Sequence, residues 1–194
     1  VLISIRPKWC ELIASGKKTV EIRKTCPRLK TPFKCYIYCT KSKNDIFWQS
    51  KTYRYIDDRS HNSFDVALNG YVIGEFVCDR IYSACASYCH VFSDAEQKNF
   101  SNSCMTDIEI IDYLGNGKLG YSWHISDLII YDKPKKLETF NAPCSKIPIC
   151  ENCHRSVNDA LPFGEISMGC DRRILRPPQS WCYVEEKSDN IYVA

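Results

Sequence analysis

The stretch Gly16-Lys17-Lys18-Thr19-Val20-Glu21-Ile22-Arg23 decides how the first third of the chain is read. Upstream of it, Pro7 suits the first turn of a helix, where its missing N–H has no partner to lose. Trp9, Leu12 and Ile13 then fall on one helical face, and Gly16 sits where a left-handed cap ends the helix. From Thr19 the period changes to two. Val20 and Ile22 point one way and Thr19, Glu21 and Arg23 the other, the pattern of a strand with one buried face. Residues two apart in a strand share a face, so Glu21 and Arg23 converge, and Lys18 leaves the turn just ahead of them. Two readings follow. In one, the three form an acid–base or binding site: Glu21 accepts a proton or holds Lys18, Arg23 offers planar donors to a phosphate or carbonyl oxygen, and Lys18 acts as base or nucleophile. In the other, they are an ion-pair cluster that fixes the helix-to-strand turn.

Outward from this stretch the chain alternates short strands and helices. Leu2, Ile3 and Ile5 form a strand before Pro7, and Lys34–Thr40 alternates Cys35, Ile37 and Cys39 against Lys34, Tyr36 and Tyr38. Residues 41–69 are polar and aromatic with no clear period. Gly70–Ile81 reads as a central strand, with Gly74 marking a bulge or a close backbone approach. Thr106 and Glu109 have capping-box spacing, predicting a helix with Ile108, Ile111 and Leu114 inward and Gly115 past its end. Tyr121–Ser126 and Leu128–Asp132 read as strands ending before Pro134, and Trp181–Val184 supplies a last one. Five to six short strands with two helices make a small mixed α/β or α+β barrel.

The chain has 194 residues, 44% hydrophobic and 25% charged, the composition of one globular domain carrying a small appendage. Its longest apolar runs are a handful of residues, so no membrane-crossing segment and no membrane partner is expected. The opening Val1–Arg6 reads as a strand rather than a secretory leader. Thirteen cysteines are an odd count, several of them alternating within apolar strands, which points to free thiols in a reducing, cytoplasmic setting. The net charge of +3 conceals a skew: residues 1–60 carry 14 Lys and Arg against 5 Asp and Glu, the remainder 12 against 18. A basic end of this kind suits an anionic partner such as RNA, DNA or a nucleotide, or is a solvated surface.

The segment Ala142–Leu175 breaks the strand pattern with Gly, Pro and four cysteines and reads as an insert. Cys144, Cys150, Cys153 and Cys170 include one C-x-x-C pair whose bite suits a tetrahedral, structural Zn²⁺, with His154 and Cys182 as competing ligands; the other reading is reduced thiols in a loop. No organic cofactor is expected.

The pattern G-x-K-x-x-E-x-R at Gly16–Arg23 resembles the signature of the ASCH family, relatives of the PUA-like fold. Ile3-Ser4-Ile5-Arg6-Pro7, Gly70–Ile81, Ser122-Trp123-His124-Ile125 and Arg176-Pro177-Pro178-Gln179-Ser180-Trp181 are similar to that family too. The resemblance implies a PUA-like mixed β-barrel formed by residues 1–141 and 176–194, with flanking helices and the Cys-rich insert 142–175. It also implies binding of RNA or a modified nucleoside, in a cleft lined by Lys18, Glu21 and Arg23. Some members are hydrolases, either amidohydrolases that deacylate acetylcytidine or ribonucleases. The amidohydrolase-like members carry a Lys where Lys18 stands and a Thr where this chain has Glu21, with a further Glu later, for which Glu75 is taken. Trp9, Thr19, Trp123 and His124 complete the expected ligand-binding set, the tryptophans either stacking on a base or filling the core, and His124 either structural or a general base. A third reading is a non-catalytic RNA reader or interaction module.

Overall fold

In the first crossover of this α+β fold, strand β1 (Leu2–Ile5) leads through helix α1 (Pro7–Ala14) and strand β2 (Val20–Arg23) to β3 (Phe33–Cys39), which lies parallel to β1. The computed structural model describes residues 1–54, 61–86, 100–144 and 171–185. β1 and β3 belong to a five-stranded sheet. Its other members are β6 (Tyr71–Cys78), β9 (Ser126–Lys136) and β10 (Trp181–Cys182), in the order β10-β1-β3-β6-β9. β2 instead joins β7 (Ile81–Ala86) and β8 (Lys118–His124) in a three-stranded sheet ordered β2-β8-β7. β4 (Trp48–Arg54) and β5 (His61–Ala67) form an antiparallel ribbon within the stretch that showed no period. The second helix, α2, spans Asp107–Leu114.

The start and stop signals act as the sequence predicts. Pro7 opens α1, and Gly16, at φ +73°, turns the chain out of it, its N–H donating to Ile13 O at 2.9 Å. Thr106 and Glu109 close a reciprocal capping box at the head of α2. The buried face of α2 differs from the expected one: Ile110, Ile111 and Leu114 are buried and Ile108 is 63% exposed. Ile108 lies two residues before Ile110, and at about 100° per residue that places it on the opposite side of the helix.

Two longer expected strands are each broken where the chain changes sheet. Gly70–Ile81 divides at Asp79–Arg80, leaving β6 in the five-stranded sheet and β7 in the three-stranded one. The chain returns at Ile125, between β8 and β9, and the two crossings are tied together by His124 N–H donating to Arg80 O at 3.0 Å. Strands that switch sheets at such bends make the corners of a barrel-like sandwich. β9 continues through Pro134, which an edge strand tolerates because no ladder donor is needed there. Gly74 has the close approach foreseen: a Cβ on it would stand 2.3 Å from the Ile129 carbonyl oxygen.

Three apolar clusters hold these layers. Ile3, Ile5, Cys35, Ile37, Cys39, Ile73, Phe76 and Trp123 form the interior between the two sheets, closed by Cys10 and Ile13 of α1. Leu2, Tyr36, Tyr38, Val72 and Phe140 cover the other face of the larger sheet. Val20 and Ile22 pack with Phe100, Ile110, Ile111 and Leu114, seating α2 on β2. Every cysteine in the described residues is a free thiol, and Cys10, Cys35, Cys39 and Cys78 are fully buried. That is the role of a small apolar residue.

Candidate functional site

β2 is buried on both faces, which the alternation in sequence does not disclose. Its apolar residues are taken by α2. Glu21 stands opposite Trp123 across the β2–β8 ladder, and residues so paired share a face, so Glu21 and Arg23 turn toward the side of the sheet that bears the main core. Side-chain exposure is 1% for Lys18, 8% for Glu21 and 7% for Arg23. Charges withdrawn from water to this degree persist only when paired and hydrogen-bonded.

The pairing is specific. Lys18 Nζ donates to Val20 O at 2.8 Å and Ser103 O at 2.6 Å and lies 3.3 Å from Glu21 Oε2. Two backbone carbonyls thus accept from it and the carboxylate stands beside it as an ion pair, and it also sits 5.0 Å above the Trp9 ring. Arg23 Nη2 forms an ion pair with Glu21 Oε1 at 3.0 Å and donates its hydrogen bond to Ser4 O at 2.6 Å. Arg23 Nη1 reaches Ser180 Oγ only at 3.5 Å, and Arg23 Nε–H, buried, has no hydrogen-bond partner. Arg23 thus holds one donor, Nε–H, that is buried without a partner.

These three side chains line a cleft of about 820 Å³, within the range of small-molecule sites. Arg6 and Trp9 form one wall, Glu109, Asp112 and Tyr113 of α2 another, and Pro177–Gln179 the far rim. The rim segment is held along β1 by Ser4, whose hydroxyl donates to Pro178 O at 2.7 Å and whose N–H donates to Ser180 O at 2.9 Å. Burial pushes the Tyr113 phenol above its ordinary range against the pull of the neighbouring Arg23 guanidinium, which keeps it a neutral donor. A second hollow, of about 540 Å³ between Cys26–Thr31 and β7, has Lys30 as its one charged lining residue and carries no acid–base pair.

Of the expected site residues, Lys18, Glu21, Arg23 and Trp9 come together in the cleft. Thr19 does not line it; its backbone N–H donates to Asn102 O and its carbonyl accepts from Ile125 N–H. Trp123 is corrected from ligand stacking to core. It is fully buried between Phe33, at 5.9 Å, and Trp181, at 6.1 Å, so no base reaches its faces. His124 points away from the cleft to the sheet corner, where Nδ1 meets Asp79 Oδ1 at 2.6 Å and Arg80 lies alongside. Glu75 is corrected as well. Paired with Tyr36, it lies on the outer face of the larger sheet, with Oε2 accepting from Tyr131 O–H and Oε1 near Lys34, far from any role beside Lys18. Among the four proposed zinc ligands Cys144 alone lies in the described residues; Cys150, Cys153 and Cys170 lie outside them. No group of three His, Cys, Asp or Glu able to hold a metal occurs among the described residues.

The residues that sequence reasoning missed are Arg6, Tyr113, Asp112 and Pro177–Gln179. Asp112 and Tyr113 had one available signal, their place on the polar side of an amphipathic helix whose apolar side is fully used. The Pro-Pro segment was marked only by its likeness to the ASCH family, and nothing local placed it at the cleft, because its contact with Ser4 spans 174 positions.

No family model matches the chain, and no curated protein matches it. It is similar to solved ASCH structures. The ASCH protein of Zymomonas mobilis shares 18% identity with it at a TM-score of 0.47, over 70% of this chain and 72% of that one. Two single-substitution variants of that protein match with the same identity and TM-score. No helix among the described residues is long and apolar enough to cross a membrane.

Proposed function

We propose that the cleft binds RNA or a modified nucleoside by its base, with Arg23 and Glu21 as the reading pair. The observation that carries this is a guanidinium held against a carboxylate in the wall of a cleft of about 820 Å³. A planar fork of donors beside an acceptor is the complement of a base edge that offers an oxygen or ring nitrogen next to an N–H. An apolar ligand gains nothing from such a pair, since the desolvation of the buried charges is then left uncompensated. The similarity of Gly16–Arg23 to the ASCH signature supports the same ligand class.

Lys18 enters as a positioning residue. Lys18 Nζ is held by the Val20 and Ser103 carbonyls, lies beside Glu21 and is 1% exposed, which supports a lysine that fixes Glu21 rather than one that meets the substrate. Binding, rather than hydrolysis through Lys18, is therefore the reading adopted.

Calorimetric titration with a panel of nucleosides, modified nucleosides and short RNAs tests it, using wild type and Arg23→Lys. Lysine keeps the charge and loses the fork, so affinity for the ligand should fall roughly tenfold or more while the far-ultraviolet spectrum is kept. Failure of every panel member to bind, or equal affinity in both proteins, overturns the proposal.

A further inference from the structure

We propose that Gln179 is a second reading group of the cleft, held in position by the Ser4 hydroxyl. This rests on the base-binding reading above and deepens it: the ligand offers one edge to Arg23 and Glu21, and a second edge, with a hydrogen-bond donor beside an acceptor, to the Gln179 amide.

The lining is balanced in formal charge, with Arg6, Lys18 and Arg23 against Glu21, Glu109 and Asp112. Net charge therefore selects no ligand there, and discrimination falls to the neutral polar side chains. The Ser4 hydroxyl is already spent on Pro178 O. Thr40 and Tyr113 offer one hydroxyl each, whereas Gln179 presents a donor and an acceptor side by side. Its side chain is exposed and makes no hydrogen bond among the described residues. An amide in that state can form the bidentate pair by which glutamine recognises a base edge.

What distinguishes Gln179 from an ordinary surface glutamine is the way its backbone is held. β10 pairs with β1 through Leu2–Cys182 and Ile3–Trp181, and the Ser4 N–H extends that ladder by one bond, to Ser180 O at 2.9 Å. Beyond Gln179 stand Pro178 and Pro177, which have no N–H to donate, so the ladder cannot continue. The Ser4 hydroxyl takes over, donating to Pro178 O at 2.7 Å; among the described residues it is the one group hydrogen-bonded to residues 175–179. Gln179 is thus bracketed by two bonds from a single buried residue, 7% exposed. The third polar group of that residue, Ser4 O, accepts from Arg23 Nη2 at 2.6 Å. One serine therefore fixes both the guanidinium and the Gln179 backbone, and the two reading groups share a frame.

The test is calorimetric titration of unmodified and modified nucleosides into wild type, Gln179→Ala, Gln179→Glu, Ser4→Ala and Ser4→Thr. The readout is the ratio of affinities between the best-bound nucleoside and the next best. In Gln179→Ala that ratio should fall about tenfold, the discrimination expected of one bidentate pair, while the melting temperature stays unchanged because the side chain is exposed. Gln179→Glu keeps the length and loses the donor, and should lose the ratio as well. Ser4→Ala should lower the ratio through the freed rim, and Ser4→Thr, which keeps the hydroxyl, should restore it. An unchanged ratio in both Gln179 variants overturns the proposal and leaves base binding through Arg23 intact. Ser4→Ala weakening every nucleoside by one common factor, with the ratio kept, overturns the positioning role, since that is what a structural loss alone produces. If Ser4→Ala does not fold, the two Gln179 variants decide the reading role and Ser4→Thr the positioning one. Failure of every nucleoside to bind folded wild type overturns both this proposal and the base-binding one.

Discussion

Two clusters of a carboxylate between basic side chains stand on neighbouring strands, and they have opposite fates. Lys18, Glu21 and Arg23 are 1–8% exposed in their side chains and are tied to three backbone carbonyls. Asp79, Arg80 and His124 are 28–53% exposed and sit at the corner where the chain passes between the two sheets. Both contain close ion-pair contacts. Water separates them: at the corner it screens the pairing, while in the cleft its removal makes each partner obligatory. The first cluster is held in one geometry because water does not compete for its partners; the second clasps two crossings and is expected to be nearly dispensable.

The largest effects should fall on the buried side. Trp123, next to His124 in β8 but turned into the core, should cost about 3–5 kcal/mol as Trp123→Ala in urea denaturation. Lys18→Met leaves Glu21 with Arg23 as its remaining ion-pair partner and strips Val20 O and Ser103 O of a buried donor, with an expected loss of about 3–5 kcal/mol. A loss below about 1 kcal/mol would mean that the trio is as well screened as the corner, and the contrast would fail. A double-mutant cycle of Asp79→Asn and His124→Ala should give a coupling of about 1 kcal/mol or less, declining as salt is raised. Substantial coupling that ignores salt would place the corner in the same class as the cleft.

The smallest effect is a pH dependence. Burial opposes ionisation of Asp79, yet the hydrogen bond and charge of His124, with Arg80, outweigh it and hold the carboxyl below its ordinary value of 3.8. The folded state therefore binds this proton less well than the unfolded chain does. The stabilisation is present above about pH 4 and fades as pH falls through the lower folded-state value. Melting temperatures of wild type and Asp79→Asn should accordingly differ slightly near neutrality and converge in acid.

Much of the fold was legible because its signals are local. Pro7, Gly16, the Thr106–Glu109 box and Gly115 mark helix ends through contacts within a few residues of themselves. The alternation of Val20 and Ile22 against Glu21 and Arg23 correctly made a strand and put the two charged residues on one face. The sheet changes were not legible: Gly70–Ile81 reads as one strand because the break at Asp79–Arg80 leaves its apolar pattern intact. Ile108 was misplaced because Ile108, Ile110 and Ile111 are the same residue type on a short helix, and only the position of β2 chooses among them. Tyr131, the partner of Glu75, lies 56 positions along the chain.

Residue order alone established that a lysine, a glutamate and an arginine meet where a helix turns into a strand, since cap, turn and pleat are set by near neighbours. Whether they meet in water or out of it was decided by the tertiary structure. α2 takes the apolar face of β2, which turns the charged face toward the interior, and Pro177–Gln179, laid along β1 by Ser4, supplies the rim of the hollow beside it. The physical reason is that burial is a property of packed layers: a side chain's distance from water depends on segments far away in sequence, and on that distance rests the difference between a solvated ion pair and a buried one held in a single geometry.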